Sequence, residues 1–204
     1  MIDIGIIAGS TRPNRRSQLV ASWVRDHADR FSARSHQQIH FHVLDLAAYE
    51  LPLLDEPAPA AIGSYQNSHT HSWAEAIDSL DGFVFVTPEY NHGAPAALKN
   101  AIDYLFLEWN DKAAGFVSYG LQGGIRAAEQ LRLSLAEVKI ACVRSQVALH
   151  LFTDFDFPDI TDAGSLKPAD FHGPILERML GEIVDWTLAL HSLRHGRIPT
   201  VAAT

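Results

Sequence analysis

Residues 9–17 read Gly-Ser-Thr-Arg-Pro-Asn-Arg-Arg-Ser and bring a glycine, hydroxyls and guanidinium groups into one short stretch. Gly9 lets the backbone turn sharply and come close to a ligand. Ser10, Thr11 and Ser17 offer hydroxyl donors, and Arg12, Arg15 and Arg16 offer charge in a fork that matches phosphate oxygens. A helical pattern begins at Ser17, so unpaired N–H groups and the positive end of a helix dipole add to the same attraction. Neither the G-x-G-x-x-G dinucleotide fingerprint nor the G-x-x-x-x-G-K-[ST] loop is present. Hydroxyls and arginines without a P-loop lysine suit a terminal monophosphate better than a magnesium-bound triphosphate. The plainer alternative is a solvated basic turn with Ser17 as a helix cap.

A second stretch, Thr87-Pro88-Glu89-Tyr90-Asn91-His92-Gly93-Ala94-Pro95, is an unusual strand-to-helix turn. Pro88 ends strand pairing, and Gly93 allows a backbone geometry closed to other residues. Tyr90 and His92 have flat faces, and Asn91 carries both a donor and an acceptor. Ala94, Ala96 and Ala97 are small, so a planar heterocycle could lie close to the helix start. His92 is read as an exposed loop histidine rather than a general base. A third stretch, Ser118-Tyr119-Gly120-Leu121-Gln122-Gly123-Gly124, leaves backbone amides uncovered. Donors fixed there would stabilise negative charge on the polar edge of a reduced ring. The alternative is an ordinary glycine-rich turn with Tyr119 as a strand-end aromatic.

The elements around these stretches alternate. Strands are expected at Ile2 to Ala8, Ile39 to Leu44, Phe83 to Thr87, Gly115 to Tyr119 and within Ile140 to Leu151. Helices are expected from Ser17 to about Phe31, Trp73 to Leu80, Pro95 to Phe106, around Ile125 to Leu135, and over 173–197. Asp45 to Thr70 reads as a long connection, and His69 and His71, at its end, are read as lying on a loop without a third metal ligand. The segment 151–172 reads as irregular and acidic. This alternation implies an α/β three-layer sandwich, with a five-stranded parallel sheet and helices on both faces. In the common order 2-1-3-4-5, ligands bind at the carboxyl ends of strands 1 and 3, where the order reverses. The first two stretches follow those strands.

The chain has 204 residues, suited to one domain spanning 1–204, and a formal net charge of −8. The acidic balance argues against nucleic acid, and no apolar run approaches the ~18 residues of a membrane span. No targeting segment is visible, so a cytoplasmic location is expected. The single cysteine, Cys142, excludes an internal disulfide and is read as a buried structural thiol, with a redox thiol as the alternative. No metal site is expected.

At Gly9-Ser10-Thr11-Arg12-Pro13, at Pro88-Glu89-Tyr90-Asn91 continuing to Leu98-Lys99-Asn100-Ala101-Ile102-Asp103, and at Ser118-Tyr119-Gly120 with Gly123-Gly124, the chain resembles the NAD(P)H-dependent FMN reductases. That family includes small quinone, chromate and azo reductases. The resemblance spans roughly residues 2 to 150, and its second segment is the specific one. It implies a flavodoxin-like fold, non-covalent FMN, NADPH or NADH as donor, and a homodimer or homotetramer acting on a small-molecule electron acceptor.

It implies that Gly9, Ser10, Arg12, Arg15 and Ser17 hold the FMN phosphate. Pro88, Glu89, Tyr90 and Asn91 would line the isoalloxazine, and Ser118, Tyr119 and Gly120 its far side. No side chain is assigned a catalytic step, because hydride passes to N5 of the flavin in a ping-pong cycle. Many relatives have Gly at Asn14 and a small or apolar residue at Arg16, so Arg12 and Arg15 rank ahead of Arg16 as phosphate ligands. Lys99 and Asp103, four apart, suit a helix-supporting pair. Trp109 and the Asp45–Thr70 connection are expected to close a neighbouring subunit's site. Rival readings are a flavodoxin-type electron carrier, a redox-regulated flavoprotein acting through a partner, and a flavin-free hydrolase or transferase.

Overall fold

The computed structural model of the chain describes residues 1–196. Its centre is a parallel sheet of β1 (Ile2–Ala8), β2 (Ile39–Asp45), β3 (Gly82–Pro88), β4 (Lys112–Gly120) and β5 (Ile140–His150), in the order β2-β1-β3-β4-β5. The helices are α1 (Ser17–Arg34), α2 (Ser68–Asp78), α3 (Ala96–Asp103), α4 (Ile125–Glu137) and α5 (His172–Arg194). The expected order and element sequence are what the chain adopts.

β3 shows why the sheet is sandwiched. Its run Phe83-Val84-Phe85-Val86 has no polar residue and is wholly buried. Side chains alternate across a strand, so such a run needs cover on both faces. Val84 and Val86 join Ile4, Ile6, Val20, Val24, Leu180 and Ile183 in a core under α1 and α5. Phe83 and Phe85 join Trp73, Leu98, Ile102, Trp109, Phe116 and Leu131 in a second core under α2, α3 and α4.

Several boundaries differ from the sequence reading. α2 starts at Ser68, so His69 and His71 are helical rather than on a loop. The early start has a distant cause: the Glu56 carboxylate accepts the amides of Gln66 (2.8 Å) and Asn67 (2.9 Å), which lead into the helix. β4 begins at Lys112, three residues earlier than expected, and α3 ends at Asp103. The 151–172 segment is not wholly irregular: β6 (Phe155–Asp156) and β7 (Ser165–Leu166) pair as an antiparallel hairpin. The C-terminal helix closes at Arg194, and the expected end at residue 197 lies outside the described residues.

Trp109 cannot reach a neighbouring subunit. It is fully buried against Trp73, Phe83 and Phe85, and its indole N–H donates to the Ile102 carbonyl at 3.2 Å. Cys142 is only partly buried at the edge of the second core, and burial pushes its thiol up to about 11. Among the described residues no helix is long and apolar enough to cross a membrane, and no group of three or more His, Cys, Asp or Glu is placed to hold a metal ion.

Candidate active site

The loops after β1, β3 and β4 meet at one end of the sheet, across the point where its order reverses. They are bonded to one another in series. The Gly9 amide donates to the Val86 carbonyl (2.9 Å), and the Ser10 and Tyr90 hydroxyls pair at 2.9 Å. The Glu89 amide donates to the Tyr119 carbonyl (3.0 Å), and the Leu151 amide donates to the Gly120 carbonyl (2.9 Å). Between the loops lies a cavity of about 380 Å³, lined by residues 12–16, 88–90, 119–121, Leu151, Ile160 and Thr161.

The first loop is built for an anion it does not itself supply. Asn14 holds a φ of +54°, the left-handed conformation that glycine adopts most readily. The residue preceding α1, Arg16, makes no side-chain cap, and no acid lies in the first turn, so the positive end of α1 is unopposed. Ser17 Oγ is buried beside the Tyr119 phenol and makes no well-formed hydrogen bond. The Arg12 side chain is exposed at the cavity and has no acidic partner. A phosphate monoester fits this set: it would satisfy the buried hydroxyl, the helix end and the guanidinium together.

Arg15 and Arg16 differ from Arg12. Arg15 is ion-paired to Asp45, and its Nε is buried without a partner. Arg16 reaches away from the loop to the carbonyls of Ile160 (3.3 Å) and Asp162 (2.6 Å). Gly9 has no left-handed backbone. A Cβ there would stand 2.7 Å from Leu98 Cδ2 and 3.0 Å from the Val86 carbonyl, so a side chain at this position would press on α3 and β3.

In the second loop the left-handed residues are Asn91 (φ +50°) and His92 (φ +67°), not Gly93. Tyr90 and Gly93 close this turn with paired backbone bonds of 2.9 and 3.0 Å. Two successive positive φ values make it a type I′ turn, which thrusts Asn91 and His92 outward. Both are exposed and neither lines the cavity, whereas Pro88, Glu89 and Tyr90 do. The Glu89 carboxylate is not free: it accepts the Arg126 amide (3.0 Å) and Nε (2.7 Å), and so caps α4.

The third loop turns on Gly123 and Gly124, at φ +73° and +70°. Tyr119 and Gly120 line the cavity, and burial, then the nearby Tyr90 phenol, push the Tyr119 hydroxyl above its ordinary range. Ser118 departs from its expected place. It is fully buried and donates to the Gly123 carbonyl at 2.6 Å, so it holds the loop's shape and does not reach the cavity. Sequence reasoning missed Arg126, Leu121, Leu151, Ile160 and Thr161, none of which stands in a recognisable motif.

The model of the NADPH-dependent FMN reductases matches residues 2–154, a span holding all three loops. The chain belongs to the NADPH-dependent FMN reductase family. It is similar to the NAD(P)H-dependent FMN reductase LOT6 of Saccharomyces cerevisiae, with 43% identity over 143 residues, 67% of this chain and 75% of that one. It is 38% identical to a Schizosaccharomyces pombe protein of the same description over 151 residues, 73% of each. Among solved structures it shares its fold with the flavoenzyme NAD(P)H:(acceptor) oxidoreductase FerB of Paracoccus denitrificans. The TM-score is 0.68 at 18% identity, over 93% of this chain and 98% of that one. This FMN reductase family member is therefore an oxidoreductase with FMN as cofactor and NAD(P)H as donor.

Proposed function

We propose that the protein reduces quinone-like, flavin, azo or metal-oxyanion acceptors by two electrons at the expense of NAD(P)H, in a ping-pong cycle. For a quinone the balance is one NAD(P)H, one proton and one quinone giving NAD(P)⁺ and hydroquinone. The observation that carries this reading is the cavity at the switch point, with an uncapped helix end, a buried unpartnered hydroxyl and an unpaired arginine at one end. FMN, when bound, would supply the two-electron redox chemistry.

The residues bind and orient. Arg12, Ser17 and the α1 amides hold the phosphate, with Ser10 and Arg15 behind them. Pro88, Glu89 and Tyr90 border one side of the ring, and Tyr119 and Gly120 the other. Asn91 and Ser118 act through the shape of their loops. No side chain is needed as an acid or base, and His92 stands outside the cavity. On the same reading the protein is a homodimer or homotetramer, and the 45–70 connection completes a second subunit's site. A cytoplasmic location is part of the same reading. Anaerobic stopped-flow mixing of the FMN-loaded protein with NADPH tests it. Rapid bleaching of the flavin absorbance is expected, and a flavin that stays oxidised overturns the proposal.

A further inference from the structure

Two features remain unexplained by the phosphate cradle: Arg16 and the hairpin that follows the family-matched region. The structure joins them. Arg16 Nη2 donates to the carbonyls of Ile160 and Asp162, and its guanidinium lies 4.4 Å above the Phe157 ring. Residues 16 and 160–162 are far apart in sequence, so this contact ties the hairpin tip back to the start of α1.

The hairpin's base is fixed separately by Asp154, which is almost fully buried. Its carboxylate accepts the amides of His150 (2.7 Å) and Ala169 (3.0 Å) and lies 3.2 Å from His172 Nε2. Its carbonyl accepts the Lys167 amide at 2.7 Å. With base and tip both held, Ile160 and Thr161 become a wall of the cavity.

We infer that the hairpin between β6 and β7 selects the electron acceptor, and that Arg16 is the residue that positions it. The inference rests on the reductase reading above and narrows its acceptor class. What the wall presents to the cavity is apolar, and acidic residues flank it at the hairpin tip. The exposed side chains of Ile160 and Leu121, with the half-buried Leu151, form an apolar rim from three separate segments. Asp159 and Asp162 stand exposed at the tip, with the Asp159 carboxylate locked by the Thr161 amide and hydroxyl, both at 2.7 Å.

A flat, uncharged aromatic acceptor gains apolar contact at this rim. A compact oxyanion must shed water there and meets carboxylates of its own sign. Of the arginines that line the cavity, Arg12 is taken by the cofactor phosphate on this reading, Arg15 is paired with Asp45, and Arg16 is turned onto the hairpin carbonyls. The favoured class is therefore the neutral quinone, ahead of chromate.

The test uses the FMN-loaded full chain and an Arg16→Met variant, which keeps an apolar stem on Phe157 but removes the carbonyl bonds. Three quantities are read: amide hydrogen exchange over 157–164, the FMN dissociation constant by fluorescence quenching, and the ratio of kcat/KM for 1,4-benzoquinone to that for chromate. Exchange should rise about tenfold or more. FMN affinity should stay within about threefold, and the quinone-to-chromate ratio should fall about tenfold.

A large loss of FMN affinity with unchanged exchange would make Arg16, whose Nε has no partner, a phosphate ligand and overturn the inference. So would faster exchange with an unchanged ratio. Ile160→Lys, on the exposed tip, is the second variant. It should lower the quinone rate and raise the chromate rate, and an unmoved ratio sinks the selection role. If NADPH fails to bleach the wild-type flavin, the reductase reading and the selection role fall together, while the exchange measurement still decides whether Arg16 holds the hairpin.

Discussion

Arg12, Arg15 and Arg16 lie within five residues and end in three different environments. Arg15 is paired with Asp45, which also accepts a hydrogen bond from the Gln18 side-chain Nε2 at 2.8 Å, so much of the arginine's charge is already opposed. Arg16 is spent on the hairpin. Arg12 alone offers an unopposed guanidinium to an incoming anion. A hydrogen bond to a charged group is worth about 1.5–3 kcal/mol. Arg12→Ala should therefore weaken FMN binding about tenfold to a hundredfold, measured by fluorescence quenching, and Arg15→Ala should weaken it less. Equal losses from the two would refute the division of roles.

Lys112 gives a second prediction at this scale. Its ammonium is buried, with donations to the carbonyls of Ile77 (2.8 Å) and Asp78 (3.1 Å) at the end of α2, and burial pushes it down to about 8. The unfolded chain keeps this lysine protonated to about 10.4. Between those values the unfolded state binds the extra proton, so stability gains from this group as pH rises, and the penalty is complete below about 8. In urea unfolding, the stability of wild type relative to Lys112→Met should rise between pH 8 and pH 10. A difference that stays flat would show that the lysine titrates normally in the fold.

Among the elements, the third loop depends on its glycines most strictly. A Cβ on Gly124 would stand 2.7 Å from the Tyr119 amide nitrogen and 2.8 Å from its carbonyl oxygen, at a φ of +70°. Backbone cannot yield as a side-chain tip can, so Gly124→Ala combines a clash with left-handed strain of about 1–2 kcal/mol. The expected result is lower stability on urea unfolding and weaker FMN binding together, since the displaced strand end carries Tyr119. An alanine variant with wild-type affinity would show that the ring does not rest on this loop.

The same loops show what sequence made legible. The strand and helix order and the three loop positions follow from apolar periodicity and from Gly and Pro placement, which act locally. The start of α2 was not legible, because the amides of the residues leading into it are met by Glu56 from ten and eleven residues away. Nor was the commitment of Glu89, whose partner Arg126 is thirty-seven residues on. Trp109 was misread as a free aromatic because nothing local to it announces that α2, β3 and α3 converge on its ring. Gly9 and Gly93 were recognised as essential backbone positions for a reason the structure replaces: Leu98 and Gln130 occupy the space a Cβ would need.

At the scale of the whole molecule, the cavity proposed for the cofactor draws on segments spread from residue 12 to residue 161. None of these segments is assembled in the unfolded chain, so FMN binds the folded state almost exclusively, and its binding energy becomes folding energy. At a free concentration one hundred times the dissociation constant the gain is about 2.7 kcal/mol. For a domain of this size each kcal/mol corresponds to about 2–4 °C in Tm. Saturating FMN should therefore raise Tm by about 5–10 °C in a thermal scan, and riboflavin at the same concentration should do much less, because it lacks the phosphate proposed to sit on Arg12, Ser17 and the α1 terminus. Arg12→Ala should shrink the FMN shift while leaving the Tm of the cofactor-free protein nearly unchanged, since that side chain has no acidic partner to lose. Equal shifts from FMN and riboflavin would place the binding energy in the ring loops alone and remove the phosphate from the account of the first loop.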